Sequence, residues 1–355
     1  MIKHIHIENF KCFKDFDLDL GPFNVLVGPN DSGKTAFLQA VRILGVDLSR
    51  NTRSLPVELG LGRDWRDLRR EGANEKPWVV RAEFTRKRQS ESFVQDRFFD
   101  SGSLASKTHH LNEMPAKPSG TQQGDAEPIP DVSVGRVEYY SLNASSCRKP
   151  SNLGDRLEPD GSGLCGEVDG LRRDYPSQYA KLRLLFSKRF PFYSEIQSPV
   201  EHSHGERGKR LGLAFLTRDG VSIHSSCVSD GVMLTLAIAA ICSRTPDLDI
   251  LLLEEPENGV HPQGLRETIE MLRPLASDLD VQLILTTHSP YLLDLVEPEE
   301  VKVFSKGNDG AVQAKTLSEF PETERLREHF GTGEIWTEFD ESEIVQAKDQ
   351  AEAGA

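Results

Sequence analysis

The sequence lacks the features that mark several protein classes. No apolar run reaches the length that a membrane-spanning helix needs, and the N-terminus lacks the apolar core of a secretory signal peptide. The five cysteines are scattered and form no C-x-x-C pair, which argues against a disulfide framework or a zinc site. No stretch sustains heptads over several turns, so a long coiled-coil arm is excluded. We therefore expect a soluble, cytoplasmic protein with reduced thiols and no membrane partner.

An excess of positive charge is also missing. The 355 residues carry a formal net charge of −14, which argues against a protein that coats nucleic acid in general. Basic residues do cluster locally, for example at Arg81, Arg86, Lys87 and Arg88. Such a cluster is more typical of a solvated face than of a DNA site, but it leaves DNA open as a partner.

The order of the apolar segments predicts an α/β fold. In the second half of the chain, helices at residues 230–243 and 261–275 alternate with apolar strands at residues 249–253 and 281–287. Continuously apolar strands are buried on both faces, and their alternation with helices indicates a mostly parallel sheet covered by helices. Residues 1–45 read as strand, turn, strand, loop and helix.

Two other stretches look irregular. Residues 86–134 are polar and rich in Gly, Ser, Pro and Gln, a composition that predicts a flexible surface insertion. Residues 341–355 form an acidic tail that we expect to be disordered.

Residues 135–226 combine a helix at 175–188 with short strands and read as a helical and β lobe. We expect residues 1–340 to form a single domain.

Eight consecutive residues carry the clearest chemical signal. They follow the apolar run 23–27 and precede a helix-like stretch at 36–44. They read Gly28, Pro29, Asn30, Asp31, Ser32, Gly33, Lys34 and Thr35. Strand, glycine-rich loop and helix are the order that a phosphate-binding loop requires, because backbone N–H groups and the helix N-terminus can hold a triphosphate. Lys34 can reach the β- and γ-phosphates, and Thr35 can hold Mg²⁺. The pattern predicts a site for a nucleoside triphosphate.

Acidic residues follow a buried strand farther along the chain. Glu254 and Glu255 come directly after the apolar residues 251–253. Glu254 is suited to hold Mg²⁺ at the mouth of the phosphate loop, and Glu255 to orient or deprotonate the attacking water. The next buried strand ends at His288, which can donate a hydrogen bond to the γ-phosphate. The alternatives are two glutamates that begin an ordinary loop and a structural histidine.

A further segment lies between the phosphate loop and the acidic strand. Ser229, Asp230 and Gly231 open the helix predicted at residues 230–243. A Ser-x-Gly sequence at a helix N-terminus can bind an anion. An ordinary N-cap is the alternative reading of the same residues.

In this order, the segments resemble the ATP-binding-cassette (ABC) ATPases, and within them the branch of SMC, RecF and overcoming-lysogenization-defect (OLD) proteins. Residues 5–13 are similar to the first strand and turn of that branch. Residues 254–262 and 287–294 look like the OLD-like AAA ATPases of prokaryotes, of the AAA_21 type. Residues 157–161 and 331–336 also look like that group.

The resemblance implies an ABC-type P-loop NTPase head with a mixed, mostly parallel core sheet flanked by helices and an N-terminal antiparallel β lobe. It implies that two heads dimerise head to tail around two ATP molecules with Mg²⁺. Ser229 and Gly231 then cap the γ-phosphate bound by the other chain, and Lys11 contacts the nucleotide. Residues 232–233 are apolar where related loops often carry polar residues, and Glu254 replaces the usual aspartate.

Two functions fit these features. The first is an ATP-hydrolysing switch whose dimer controls a partner effector encoded nearby, such as a nuclease or toxin of a prokaryotic antiviral defence system. The alternative is a RecF-like ATPase of DNA repair and recombination that binds DNA. OLD nucleases carry a C-terminal Toprim domain, and the stretch after His288 is short for one, so a stand-alone nuclease is disfavoured. A transporter ATPase is disfavoured because no membrane-coupling loop can be identified.

Overall fold

The residues described by the computed structural model fall into two compact units. The described residues are 1–46, 56, 61, 64–70, 76–85, 92–100, 103–110, 134–202, 209–244, 248–307 and 309–347. Unit 1 comprises Met1–Glu138, Leu248–Leu252 and Asp280–Ala355. Unit 2 comprises Tyr139–Asp247 and Leu253–Leu279.

An antiparallel sheet opens unit 1. Its strands are β1 (Ile2–Phe10), β2 (Phe13–Asp19), β4 (Trp78–Thr85), β5 (Ser92–Asp100) and β6 (Ser103–His110), in the order β2-β1-β4-β5-β6. Alternation explains why these segments form a sheet with one buried face. In β4, for example, Trp78, Val80, Ala82 and Phe84 are buried while the residues between them are half-buried. The sheet is the antiparallel N-terminal lobe that the resemblance implies.

A second, larger sheet has six strands and is mixed. Its strands are β3 (Phe23–Val27), β7 (Val137–Tyr140), β13 (Ile250–Glu254), β14 (Gln282–Thr286), β15 (Val301–Lys306) and β16 (Val312–Thr316). They are ordered β16-β15-β3-β14-β13-β7. The pairs β14–β3 and β15–β3 are parallel, whereas β15–β16 is antiparallel. Every residue of β3 and β14 is buried, as the continuous apolar runs predict.

The helices of unit 1 pack its core through aromatic side chains. They are α1 (Lys34–Leu44), α7 (Pro290–Leu293), α8 (Pro321–Leu326), α9 (Thr332–Glu338) and α10 (Glu341–Gln346). Phe37 of α1 packs edge to face against Phe304 of β15, and Phe16 of β2 contacts both rings. Single 3-10 turns occur at Trp65–Leu68, Pro298–Glu300 and Leu317–Glu319.

Unit 2 combines helices with two small antiparallel sheets. Its helices are α2 (Ala144–Cys147), α3 (Leu164–Asp174), α4 (Pro176–Arg189), α5 (Asp230–Ser243) and α6 (Pro262–Ser277), with a 3-10 turn at Ser225–Cys227. Its strands are β8 (Tyr193–Gln197), β9 (Val200–His202), β10 (Lys209–Leu211), β11 (Ala214–Thr217) and β12 (Ser222–His224), which pair in the orders β12-β11-β8 and β10-β9. Residues 232–243 of α5 are all buried, because this helix is apolar around its whole circumference. No helix in the described part of the chain is long and apolar enough to cross a membrane.

The segments with strong hydrophobic periodicity match their predictions closely. The helices predicted at 175–188, 230–243 and 261–275 correspond to α4, α5 and α6. The strands predicted at 249–253 and 281–287 correspond to β13 and β14. The predicted fold class is confirmed by the six-stranded sheet, which contains parallel pairs, and by the antiparallel N-terminal sheet.

The two stretches expected to be irregular contain regular structure. Within residues 86–134, β5 and β6 pair as a hairpin and extend the antiparallel sheet, so the expectation of a flexible insertion fails there. Buried Arg97 on β5 donates hydrogen bonds of 3.2 and 2.7 Å to the carbonyl oxygens of Leu44 and Val46, at the end of α1. The expected disordered tail begins with α10, whose Ile344 is fully buried. Residues 86–91, 111–133 and 348–355 lie outside the described residues.

Candidate nucleotide-binding site

The loop between β3 and α1 wraps its own backbone around Lys34. Lys34 is the first residue of α1 and is only 7% exposed. Its Nζ donates hydrogen bonds of 2.8 Å to the carbonyl oxygens of Gly28 and Pro29. Gly28 and Gly33 have φ angles of +139° and +98°, and a Cβ on Gly28 would lie 2.2 Å from the carbonyl oxygen of Phe304. Only glycine fits there. The predicted order of strand, glycine loop and helix is confirmed.

Two hydroxyl groups of this loop differ in their surroundings. Ser32 Oγ is buried, and it has no hydrogen-bond partner in the described part of the chain. A buried hydroxyl without a partner costs about 1–3 kcal/mol, so a ligand oxygen that bonds to it would recover that free energy. Thr35, the second residue of α1, is exposed. Pro29, Asn30 and Asp31 are exposed as well and form the outer side of the loop.

Charged side chains flank the loop. Lys11 occupies the turn between β1 and β2 with φ +48°, and its Nζ donates a 2.5 Å hydrogen bond to Gln39 Oε1 on α1. Burial lowers the pKa of Lys11. Lys306 Nζ lies 2.6 Å from Asp31 Oδ2, and this hydrogen bond raises the pKa of Lys306. Lys11 is thus held against α1, and Lys306 is paired with the loop itself.

His288 leaves the central sheet near the loop. The backbone N–H of Thr287 donates a 3.1 Å hydrogen bond to the carbonyl oxygen of Leu26, which extends the parallel pairing of β14 with β3. The N–H of Ser289 bonds to Thr287 Oγ1 at 3.0 Å and defines the turn. Both strands end at the same edge of the sheet, where β3 is followed by buried Gly28 and β14 by Thr287 and exposed His288. The predicted position of His288 just after a buried strand is confirmed, and its bond to the γ-phosphate stays a prediction.

The two predicted glutamates lie in unit 2. Glu254 is the last residue of β13, and the hydroxyl of Tyr139 donates a 2.5 Å hydrogen bond to Glu254 Oε2. Glu255 has φ +46°, a conformation that is uncommon for residues other than glycine. Asn258 Nδ2 donates a 2.6 Å hydrogen bond to Glu255 Oε2. Both carboxylates are therefore oriented by a neighbouring polar group.

Ser229 is the N-cap residue of α5, but its hydroxyl does not cap the helix. Its backbone is extended, with φ −69° and ψ 160°, and its side chain makes no capping hydrogen bond to the described residues. Ser229 and Asp230 are exposed, and Gly231 is half-buried. Val232 and Met233 are buried, so these two departures from the related loops lie away from the surface. The hydroxyl of this serine therefore does not act as a side-chain cap in the described part of the chain.

Arg148 fixes the segment in front of α5. Its Nη1 lies 2.7 Å from Asp230 Oδ1. Its Nε and Nη2 donate hydrogen bonds of 3.1 and 2.9 Å to the carbonyl oxygens of Ser225 and Val228. Sequence reasoning missed Arg148, because no motif surrounds it. It also missed Tyr139, for which an aromatic pair at the end of a predicted strand is the available signal.

Comparisons with known proteins relate the chain to ATPases. The family model described as "AAA ATPase domain" (AAA_15) matches residues 1–112, and the model described as "AAA domain, putative AbiEii toxin, Type IV TA system" (AAA_21) matches residues 162–294. An OLD nuclease of Thermus scotoductus is 22% identical over 351 residues, which cover 90% of this chain and 65% of that protein. The energy-coupling factor transporter ATP-binding protein EcfA2 of Staphylococcus aureus is 31% identical over 130 residues, which cover 35% of this chain and 42% of that protein.

Solved structures share the fold at low sequence identity. The SMC head bound to the C-winged helix domain of ScpA has a TM-score of 0.60 at 15% identity and covers 88% of this chain and 96% of that one. An Smc head domain bound to the C-terminal domain of ScpA, derived from Pyrococcus furiosus, has a TM-score of 0.58 at 13% identity and covers 92% of this chain and 99% of that one.

The described residues therefore have the fold of an SMC head, and the loop between β3 and α1 has the form of a phosphate-binding loop. The sequence of the chain is similar to AAA ATPase domains over residues 1–112 and 162–294, and to an OLD nuclease over most of its length. It spans less than two thirds of the length of the relatives named above.

Proposed function

We propose that the chain binds ATP at Gly28–Thr35 and hydrolyses it. The observation that carries this proposal is the position of Lys34, whose ammonium lies 2.8 Å from the carbonyl oxygens of Gly28 and Pro29. A triphosphate offers the same ammonium charged acceptors, and charge-assisted hydrogen bonds are stronger than bonds to neutral carbonyls. The buried hydroxyl of Ser32 and the N-terminus of α1 supply further donors for phosphate.

Thr35 and Glu254 are the residues that would hold Mg²⁺, since hydroxyl and carboxylate oxygens are ligands that this ion accepts. When bound, Mg²⁺ would neutralise part of the phosphate charge. In this proposal Glu255 takes a proton from the attacking water, and Asn258 keeps the Glu255 carboxylate oriented. His288 donates a hydrogen bond to the γ-phosphate.

We further propose that ATP-bound chains form a head-to-tail dimer with two-fold symmetry. Ser229 and Gly231 of one chain would then contact the nucleotide of the other. Three observations support this arrangement. The Ser229 hydroxyl is exposed and does not cap its own helix, and the positive end of α5 favours an anion. Arg148 pairs with Asp230, which reduces the repulsion that a bare carboxylate would exert on a phosphate.

Ser229→Arg tests the dimer contact. We expect this variant to bind ATP like the unmodified chain and to form no ATP-dependent dimer, because the long side chain occupies the contact surface. Light scattering with ATP and Mg²⁺, in a Glu255→Gln background that traps the ATP state, measures the association.

Ser177→Arg is the matched control, since Ser177 is an exposed serine in the first turn of another unit 2 helix, α4. This control should dimerise on ATP. A dimer that forms without ATP and is indifferent to Ser229 would contradict the contact.

We also propose that the closing and opening of this dimer acts on a partner effector. ATP hydrolysis would change how two chains associate, which is a conformational output rather than a chemical one. An OLD nuclease among the relatives and a toxin–antitoxin description of a matching family support a nuclease or toxin as that partner, within prokaryotic defence. This step is an analogy between families.

Residues 1–355 alone are expected not to cleave DNA. Asp278 is the C-cap residue that follows α6, and Asp280 precedes β14, so this Asp-x-Asp pair lies in the turn that the sequence predicts. The assay incubates plasmid with the purified chain, ATP and Mg²⁺ or Mn²⁺, with Lys34→Ala in parallel. Cleavage that survives Lys34→Ala but disappears in Asp278→Ala/Asp280→Ala would reveal a nuclease site and overturn this expectation.

A further inference from the structure

The outward face of the β1–β2 hairpin gathers histidine and aspartate side chains. In the antiparallel register, His4 pairs with Asp19, His6 with Asp17, and Glu8 with Asp15. Alternation along each strand directs these side chains to one face. The intervening residues Ile5, Ile7, Phe16 and Leu18 are buried on the opposite face. The buried residues therefore fix the backbone of both strands, and the two rows of polar side chains lie on the outward face of that backbone.

Three of these side chains bring their ligand atoms close together. His6 Nδ1 lies 3.0 Å from Asp17 Oδ1 and 3.7 Å from Asp15 Oδ1, and the three ligand atoms all lie within 4.8 Å of one another. A zinc ion binds nitrogen and oxygen ligands at 2.0–2.2 Å, so neighbouring ligand atoms of a tetrahedral site are about 3.4 Å apart. The two distances from His6 bracket that value, so small side-chain rotations suffice to admit an ion.

A second histidine orients one of these carboxylates. His4 Nδ1 lies 2.7 Å from Asp19 Oδ1, and His4 Nε2 lies 3.0 Å from Asp17 Oδ1. Asp19 thus fixes the His4 ring, and the ring in turn contacts Asp17. Hydrogen bonds of this kind to a ligand carboxylate orient it and commonly change metal affinity by about 10–100-fold.

The charges around the hairpin favour a cation. Beside β1, the register of β4 places Glu83 next to His4 and Arg81 next to His6. Arg81 is paired with Asp96 through bonds of 2.7 and 2.9 Å, which offsets its charge near His6. Glu8 adds a further carboxylate to the exposed face. The hairpin therefore carries a local excess of negative charge.

We propose that His6, Asp15 and Asp17 bind one divalent transition-metal ion of the zinc class on the outer face of the hairpin. His4, held by Asp19, is a positioning residue for Asp17. An imidazole nitrogen among the ligands favours Zn²⁺ over Mg²⁺ or Ca²⁺, which prefer oxygen ligands alone. The three ligands leave coordination positions for water. This site uses no residue of the proposed ATP site.

Calorimetric titration of the full chain with ZnCl₂, without nucleotide or chelator, tests the proposal. We expect one Zn²⁺ per chain, about 100-fold or more weaker binding in Asp17→Asn and in His6→Gln, and about 10-fold weaker binding in His4→Ala. Because these side chains are at least partly exposed, the variants should fold. Zn²⁺ should raise the unfolding temperature of the unmodified chain and not that of Asp17→Asn.

The matched control is His224→Ala. His224 Nε2 forms a 2.7 Å pair with Glu201 Oε1, and this pair belongs to no group of three ligand residues in the described part of the chain. His224→Ala and Lys34→Ala should keep the Zn²⁺ affinity of the unmodified chain. A chain that binds no Zn²⁺, or binds it equally well after Asp17→Asn and His6→Gln, would overturn the proposal.

Discussion

Replacing Lys34 with alanine is expected to weaken ATP binding on the order of 100-fold or more. The substitution removes the ammonium that lies within the loop beside Gly28 and Pro29. A hydrogen bond that involves a charged group contributes about 1.5–3 kcal/mol, and two such bonds to phosphates account for the expected loss of affinity. Titration with a fluorescent ATP analogue measures this loss.

Lys14→Ala is the control for Lys34→Ala. Lys14 is 61% exposed and lies 3.8 Å from Asp309, so its removal should leave ATP affinity unchanged. Thermal unfolding of both variants distinguishes a loss of binding from a loss of folding, because Lys34→Ala also removes two hydrogen bonds of the loop. Full ATP affinity in a folded Lys34→Ala chain would contradict the assignment of the loop.

Unlike Lys34→Ala, Glu255→Gln is expected to bind ATP normally, while its rate of ATP turnover falls about 100-fold or more. Glutamine keeps the shape of the side chain and its partner Asn258, but it cannot accept the proton of the attacking water. Phosphate release gives the turnover, and light scattering with ATP and Mg²⁺ should show a dimer that persists because its ATP is not consumed.

Glu270→Gln provides the comparison for this second variant. Glu270 is an exposed glutamate of α6 in the same unit, and its replacement should leave phosphate release unchanged. Near-normal ATP turnover in Glu255→Gln would contradict the proposed role of Glu255 as the general base, and another group of unit 2 would then have to take that role.

The parts of the fold that could be predicted are those that depend on local sequence. Gly28 and Gly33 adopt positive φ angles that glycine accommodates without strain. The eight residues 28–35 are therefore enough to predict the loop. Strands β13 and β14 each contain a continuous apolar run, at residues 250–253 and 283–285, so the positions of Glu254 at the end of β13 and of His288 just after β14 follow from the same pattern. The chemical roles of these residues remain predictions.

The hairpin of β5 and β6 could not be predicted, because its stability depends on distant partners. Gln95 and Arg97 are polar and yet almost fully buried. Gln95 Oε1 accepts a hydrogen bond from the N–H of Val134, and Arg97 donates to carbonyl oxygens at the end of α1. In composition alone, such residues indicate a solvated segment. Likewise, the segment around α10 is acidic and its composition predicts disorder, but the buried side chain of Ile344 holds that helix in place.

The contact between Arg97 and α1 has a mechanical consequence. α1 has 11 residues and is about 16 Å long at 1.5 Å per residue. Its first turn carries Lys34 and Thr35, and its last carbonyl oxygen, that of Leu44, is bonded to Arg97 on β5. α1 therefore connects the phosphate loop at its first turn with the β5–β6 hairpin at its last residue. A ligand that shifts α1 along its axis would also move the carbonyl oxygen of Leu44, and with it the hydrogen bond to Arg97 on β5.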